Sequence, residues 1–240
     1  MPASTPIRTV ETVLPSKDST PQTPVYARLP NGAQRGVVVI HEIFGRQPEI
    51  DRVVDSFANR GYAAVAPDLF RSGLHVVCLV RALRAIARGE GAQIEQIRSA
   101  RSWLMEQTGI GEQQIGLIGF CIGGGFALAA GRGWGAVSTN YGDLPPDEVM
   151  RGIGPVIGCY GGRDKIFGQH GAQLEARLSK LGVECETHTF PEAGHSFLTD
   201  GDHPIAAALS RPFFLVQYNP QVAAAAWQRI FAFFDRQLAP

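Results

Sequence analysis

The sequence lacks a long apolar segment and an excess of charge of either sign. Nowhere do about 18 apolar residues follow one another, as a membrane-spanning helix requires. The first residues also lack the apolar core of a secretion signal, so we expect a cytoplasmic protein. Lysine and arginine total 22, and aspartate and glutamate also total 22, so the formal net charge is zero and gives no overall attraction to polyanions. We therefore expect a small-molecule partner and neither nucleic acid nor membrane; the oligomeric state is undefined and compatible with a monomer.

Cysteine is also scarce, and the four that occur are far apart. Cys78, Cys121, Cys159 and Cys185 contain no C-x-x-C pair of the kind that binds zinc or exchanges disulfides. Cys159 and Cys185 lie in apolar, strand-like stretches, where cysteine serves as a small hydrophobic residue. The pattern predicts no metal site, and only Cys121 lies in a setting that suggests chemistry.

Internal repeats and low-complexity tracts are absent, and what remains is an alternation of strand and helix patterns. Apolar and β-branched runs predict strands over 36–41, 62–66, 115–120, 136–140, 155–160 and 184–190. Helical spacing of apolar residues predicts helices over 49–59, 76–87, 92–107, 123–130, 169–181 and 222–238. Because parallel neighbours need crossover connections, the alternation predicts an α/β fold: one doubly wound, mostly parallel sheet with helices on both faces.

Two stretches do not follow the alternation. Residues 1–34 are expected to form an N-terminal arm with a possible edge strand near 25–29, so that the α/β domain covers 35–240. Residues 200–220 look like a loop insertion that could border an active site.

The segment around Cys121 has the pattern G-x-C-x-G between a predicted strand and a predicted helix. This is the nucleophile elbow of a hydrolase with cysteine in place of serine. The turn would place Cys121 at a helix N-terminus, where the dipole favours thiolate, and would let the N–H of Ile122 face an oxyanion.

Two other interpretations of this segment remain open. The first is a glycine-rich helix packed tightly on the sheet, with an inert buried cysteine. The second is a dinucleotide-binding loop, which Asp143 would support because it lies about twenty residues downstream. The glycines, however, do not have G-x-G-x-x-G spacing, and the preceding strand is not the first of the fold.

An elbow of this kind needs an acid and a histidine later in the chain, in that order. Asp164 follows a strand in Y-G-G-R-D, and His195 follows the last strand in A-G-H-S-F. His195 could take the thiol proton while Asp164 fixes its tautomer. A turn aspartate and a loop histidine are common without any catalytic role, but their order and their positions at strand ends support a triad with Cys121.

With these residues in place, the chain resembles the dienelactone hydrolase family from about residue 36 to 238. The resemblance rests on H-E-I-F-G at 41–45, P-D-L-F at 67–70, G-F-C-I-G-G at 119–124, G-G-R-D at 161–164 and A-G-H-S-F at 193–197. It implies an α/β-hydrolase fold and the catalytic residues Cys121, His195 and Asp164.

The resemblance implies further roles. Glu42 is expected beside a resting thiol until substrate displaces its carboxylate toward the sulfur, where a carboxylate can remove the proton. The oxyanion hole is expected to use the backbone N–H groups of Ile43 and Ile122. Phe44 is expected to contact substrate.

The sequence departs from the family where a substrate carboxylate would be bound. The family places an arginine a few residues after the catalytic histidine, whereas His195 is followed by S-F-L-T-D. Arg71 and Arg81 are candidates to replace it. The expected activity is hydrolysis of a small ester or lactone through a Cys121 acyl-enzyme, with no cofactor; a general carboxylesterase or thioesterase for uncharged substrates and a catalytically silent binding module remain alternatives.

Overall fold

A computed structural model describes residues 6–15, 21–70, 75–200 and 218–239. Within these ranges, eight strands form one sheet. They are β1 (Ile7–Leu14), β2 (Thr23–Pro30), β3 (Arg35–Ile40), β4 (Tyr62–Pro67), β5 (Ile115–Phe120), β6 (Ala136–Asn140), β7 (Val156–Gly161) and β8 (Cys185–Phe190). The strand order is β1-β2-β4-β3-β5-β6-β7-β8. All pairs from β4 to β8 are parallel, whereas β2 is antiparallel to both β1 and β4.

Helices cover both faces of this sheet. They are α1 (Pro48–Ala58), α2 (His75–Arg88), α3 (Ala92–Thr108), α4 (Ile122–Ala130), α5 (Asp147–Met150), α6 (His170–Lys180) and α7 (Pro220–Gln237). The alternation of β3 shows how the layers arise: Val38 and Ile40 pack with residues of α2, α3, α4 and α6, while Val37 and Val39 pack with residues of α1 and α7. Each face of the sheet therefore has its own apolar core.

The predicted doubly wound, mostly parallel α/β architecture is confirmed, and each predicted strand and helix is present within a few residues. The strand predicted near 25–29 is β2, but it is not at the edge, because β1 pairs with it along its whole length. The division of the chain at residue 34 stays a prediction; both β1 and β2 are part of the common sheet. The predicted insertion over 200–220 lies almost entirely outside the described residues.

In the described part of the chain, no helix is both long enough and apolar enough to cross a membrane.

Candidate active site

Cys121 lies at the sharp turn between β5 and α4. Its backbone has φ 55° and ψ −120°, a conformation that residues with a Cβ seldom adopt. The turn is held by hydrogen bonds from the Cys121 N–H to the Asn140 carbonyl (3.0 Å) and from the Gly124 N–H to the Cys121 carbonyl (2.9 Å). Because Ile122 opens α4, its N–H has no acceptor within the helix and is available at the turn.

The two glycines that flank Cys121 are required by close backbone contacts. A Cβ at Gly119 would lie 1.9 Å from the Gly123 carbonyl oxygen. A Cβ at Gly123 would lie 2.5 Å from the His41 carbonyl oxygen and 2.6 Å from that of Ile40. Glycine at these positions lets the elbow pack directly on the end of β3, which brings the segment after Ile40 next to Cys121.

Asp164 and His195 form a buried pair at neighbouring strand ends. Asp164 lies just after β7, and one of its oxygens accepts hydrogen bonds from the N–H groups of Ile166 (3.0 Å) and Phe167 (3.1 Å). Its other oxygen lies 2.7 Å from Nδ1 of His195, which follows β8. This fixes the His195 tautomer with the proton on Nδ1 and turns Nε2 away from the aspartate.

The charges around this pair favour an imidazolium at His195. Burial alone would lower the pKa of His195, but the negative charge at Cys121 and the hydrogen bond that His195 donates to Asp164 raise that pKa to about 10. Burial alone would raise the pKa of Asp164, but its bonds to His195, Phe167 and Ile166 lower it below the usual value. The arrangement therefore stabilises a proton on His195 when Cys121 and Asp164 carry negative charge.

Glu42 follows β3 and is held by three hydroxyl groups. The Tyr141 hydroxyl (3.2 Å) and the Thr199 hydroxyl (3.0 Å) donate to one carboxylate oxygen, and the Ser196 hydroxyl (3.3 Å) donates to the other. Burial, together with the charge of Glu42, raises the pKa of Tyr141 well above its usual value, so Tyr141 keeps the proton that it donates.

His41 connects two of the sequence motifs and fixes the peptide group between Glu42 and Ile43. Its Nδ1 lies 2.6 Å from the Glu42 carbonyl oxygen, and its Nε2 accepts a hydrogen bond from the Leu69 N–H at 2.9 Å. Burial lowers the pKa of His41, in keeping with a neutral ring that donates through Nδ1. Since the C=O and N–H of a trans peptide point in opposite directions, the Ile43 N–H is directed away from His41.

Of the three candidate substrate-binding residues, Phe44, Arg71 and Arg81, the structure places only Phe44 beside the candidate active site. Phe44 follows Ile43 and has 43% of its surface exposed. Arg71 lies outside the described residues. Arg81 is exposed on α2 and lines a cleft whose described lining includes none of Cys121, His195, Asp164 and Glu42.

Three residues around Glu42 were not identified from the sequence: Tyr141, Ser196 and Thr199. Among the described residues with a side chain, only Cys121, Tyr141 and Ser196 have a positive φ, and all three contribute to this site. Thr199 lies in the S-F-L-T-D stretch, which lacks the arginine that the family resemblance predicts. That departure was the one signal in the sequence that could have drawn attention to Thr199.

Two of the other cysteines have surroundings that disfavour reactivity. Burial raises the pKa of Cys159 in β7 and of Cys185 in β8 to about 12, so both remain thiols. In the part of the chain that the structure describes, no three His, Cys, Asp or Glu side chains are grouped to hold a metal ion.

The strand order, the helical layers and the sharp turn between β5 and α4 define an α/β hydrolase. The dienelactone hydrolase family is matched over residues 23–238, and the chain belongs to that family. It is 29% identical to the carboxymethylenebutenolidase of Rhodococcus opacus over 93% of this chain and 89% of that protein. It is 28% identical to a putative carboxymethylenebutenolidase of Yersinia pestis, over 94% of this chain and 87% of that protein.

The crystal structure of a putative dienelactone hydrolase from Klebsiella pneumoniae subsp. pneumoniae MGH 78578 has the same fold. It superimposes with a TM-score of 0.75 at 24% identity, over 96% of this chain and 99% of that chain. As a member of the dienelactone hydrolase family, the chain is a hydrolase.

Proposed function

We propose that this hydrolase cleaves a small ester or lactone through a thioester formed on Cys121. The observation that carries the proposal is the buried Asp164–His195 pair, whose electrostatics favour an imidazolium beside the elbow cysteine. A cysteine at a helix N-terminus next to a histidinium is the setting in which a thiolate is stable enough to act as nucleophile.

In the proposed reaction, the Cys121 thiolate attacks the carbonyl carbon and the carbonyl oxygen becomes an oxyanion. The oxyanion accepts hydrogen bonds from the N–H groups of Ile122 and Ile43. His195 then gives its proton to the departing alkoxide as the carbon–oxygen bond breaks, which leaves a thioester. A water molecule attacks the thioester while His195 takes the water proton, and the acid departs as the thiolate and imidazolium re-form.

His41 and Glu42 support this reaction in different ways. By holding the Glu42 carbonyl, His41 keeps the Ile43 N–H fixed before substrate arrives, which avoids reorganisation during the reaction. Glu42 rests on the hydroxyls of Tyr141, Ser196 and Thr199, and substrate that displaces it would move a proton acceptor toward Cys121.

Replacement of the nucleophile tests the proposal. Cys121→Ala is expected to lower kcat/KM for p-nitrophenyl acetate and for a simple lactone by about 10³-fold or more, and to abolish the acyl adduct in intact-protein mass spectra. Cys185→Ala removes a partly buried cysteine outside the site and is the matched control, with activity retained. Unchanged turnover by Cys121→Ala would rule out the thioester route.

The chemistry around Thr199 favours a second candidate, an esterase or thioesterase for uncharged acyl groups. Thr199 is a neutral residue that bonds to Glu42, and it lies in the segment after His195 where the family resemblance predicts a carboxylate-binding arginine. A site without a cation beside the substrate accepts a neutral ester more easily than a substrate carboxylate, which needs a partner of opposite charge when it leaves water. Matched lactones with and without a carboxylate decide between the candidates: a higher kcat/KM for the neutral lactone supports the second, and the reverse supports an anionic substrate.

A further inference from the structure

A cleft of about 390 Å³ lies beside α2 and the beginning of α3. Its described lining contains three arginines of α2, which are Arg81, Arg84 and Arg88, but none of the four catalytic candidates. Its volume is near the lower end of the range of small-molecule sites, roughly 300–1,000 Å³.

The three arginines share one face of α2. Their spacing of i, i+3 and i+7 places them in successive turns on the same side of the helix. Within the described ranges, none of the three forms an ion pair or a side-chain hydrogen bond, and Glu90 is the one acidic residue that lines the cleft with them. The cleft is therefore strongly positive in a chain whose net charge is zero.

The beginning of α3 adds backbone donors to the same cleft. Gly91 is the N-cap residue, and no side chain caps the helix. The first backbone bond of the helix runs from the Glu95 N–H to the Gly91 carbonyl (3.1 Å), so the N–H groups of Ala92 and Gln93 have no intrahelical acceptor. Free N–H groups at the positive end of a helix dipole favour an anion.

Gln93 is an independent indication of a ligand at this place. Only 8% of its surface is exposed and it lines the cleft, and its side-chain amide, which makes no hydrogen bond within the described part of the chain, is not fully closed off from solvent. Gln96 lines the same cleft but donates to the Thr23 hydroxyl at 2.8 Å. The Gln93 amide therefore has donors and an acceptor to offer to a ligand in the cleft.

We propose that this cleft binds a small polyanion bearing phosphate or carboxylate groups, at a site distinct from Cys121. The guanidinium groups would bind the oxygens in pairs, the α3 N–H groups would bind a further oxygen, and the Gln93 amide would add a neutral contact. The site does not depend on the proposed hydrolysis, because it uses none of the residues of that reaction.

Calorimetric titration with inorganic pyrophosphate and with citrate, at ionic strength fixed with sodium chloride, tests the proposal. The full-length protein is expected to bind at least one of them, and Cys121→Ala is expected to bind equally well. Arg84→Gln and Gln93→Leu are each expected to weaken binding about tenfold or more, since each loses a direct hydrogen bond. Preference for pyrophosphate or for citrate identifies phosphate or carboxylate as the natural head group.

Arg229→Gln is the matched control, because it removes one exposed charge from α7, away from the cleft. Arg229→Gln is expected to leave the affinity unchanged. Gln93→Leu changes no charge, so weaker binding by this variant indicates a specific site and not general attraction between charges. Absence of binding by both anions would overturn the proposal, as would equal weakening by Arg84→Gln and Arg229→Gln or unchanged affinity of Gln93→Leu. Hydrolysis of p-nitrophenyl acetate by Arg84→Gln, Gln93→Leu and Arg229→Gln checks that the fold of these three variants is intact.

Discussion

In the proposed reaction, Asp164 acts through the protonation of His195. Removing its charge in Asp164→Asn takes away a contribution that raises the pKa of His195, so that pKa falls from about 10. We expect kcat to drop by about 10³-fold or more, and the alkaline limb of the kcat/KM profile to move to lower pH, because His195 loses its proton sooner. Initial rates between pH 6 and 11 measure both effects.

Asp143→Asn removes an exposed carboxylate outside the pair and is the control for this experiment. It should keep the wild-type profile. If Asp164→Asn lowered kcat without moving the alkaline limb, the electrostatic role given to Asp164 would be wrong.

Thr199 is an uncharged residue whose hydroxyl donates a hydrogen bond to the Glu42 carboxylate. Thr199→Arg places a cation where a substrate carboxylate could bind, and we expect the ratio of kcat/KM for an anionic lactone to that for its neutral analogue to rise about tenfold. Thr199→Met has a long side chain without charge and controls for the extra volume. A ratio that rises equally in both variants would assign the effect to shape instead of charge.

Among the elements, the elbow and β3 depend on each other for their position. Gly123→Ala inserts a Cβ between two backbone carbonyls, at 2.5 Å and 2.6 Å, which no side-chain rotation can relieve. We expect a loss of about 1–3 kcal/mol or more in the free energy of unfolding, together with loss of activity as Cys121 moves from Ile43. Urea unfolding and esterase assays measure the two.

Gly125→Ala is the comparison within the same helix. Its Cβ would meet the end of the flexible Ile86 side chain at 3.1 Å, and alanine favours helix, so stability should change by less than about 1 kcal/mol. Similar losses in both variants would show that α4 tolerates no added volume anywhere and that the contact with β3 is not special.

The elements that the sequence predicted are those with a strong local pattern. The six strands from β3 to β8 have apolar runs, or alternate with helices, and their positions were found. β1 was missed because it is mostly exposed and its pattern is set by pairing with β2. The four-residue helix α5 was missed because so short an element has no periodicity to detect.

At the scale of the whole molecule, Arg101 joins three separate segments. It extends from α3 to the Glu112 carboxylate (2.8 Å) and to the carbonyls of Glu112 (2.8 Å) and Gly133 (2.7 Å), and it stacks on Trp134. Arg101→Met removes the one guanidinium that bonds to all three acceptors and stacks on Trp134, and we expect a loss of about 2–4 kcal/mol in the free energy of unfolding.

Arg98→Met removes an exposed arginine from the same helix, where Arg98 pairs only with Glu95. Arg98→Met should change the free energy of unfolding by less than about 1 kcal/mol, as is usual for the loss of a surface ion pair. Urea midpoints at constant m-value compare the two variants, and an equal effect would contradict the role of Arg101 as a connector.

The candidate site residues that belong to an ordered sequence motif could be predicted, whereas those that only the folded sheet brings together could not. An elbow pattern, then an aspartate, then a histidine, each at a strand end, indicated Cys121, Asp164 and His195. The hydroxyls of Tyr141 and Thr199 have no such signature, because only the folded sheet brings the end of β6 and the segment after β8 to Glu42.

The strand order has a consequence for how the protein matures. The elbow depends on β3 and β5, which are central in the sheet, whereas His195 follows β8, the outermost parallel strand, and Glu42 meets residues more than 150 positions later in the chain. Contacts of such sequence separation form late in folding, because the loops between them must close first. A chain emerging from the ribosome thus carries Cys121 before it carries Asp164 and His195, and the proposed triad is complete only after the segment that follows β8 has packed against the sheet.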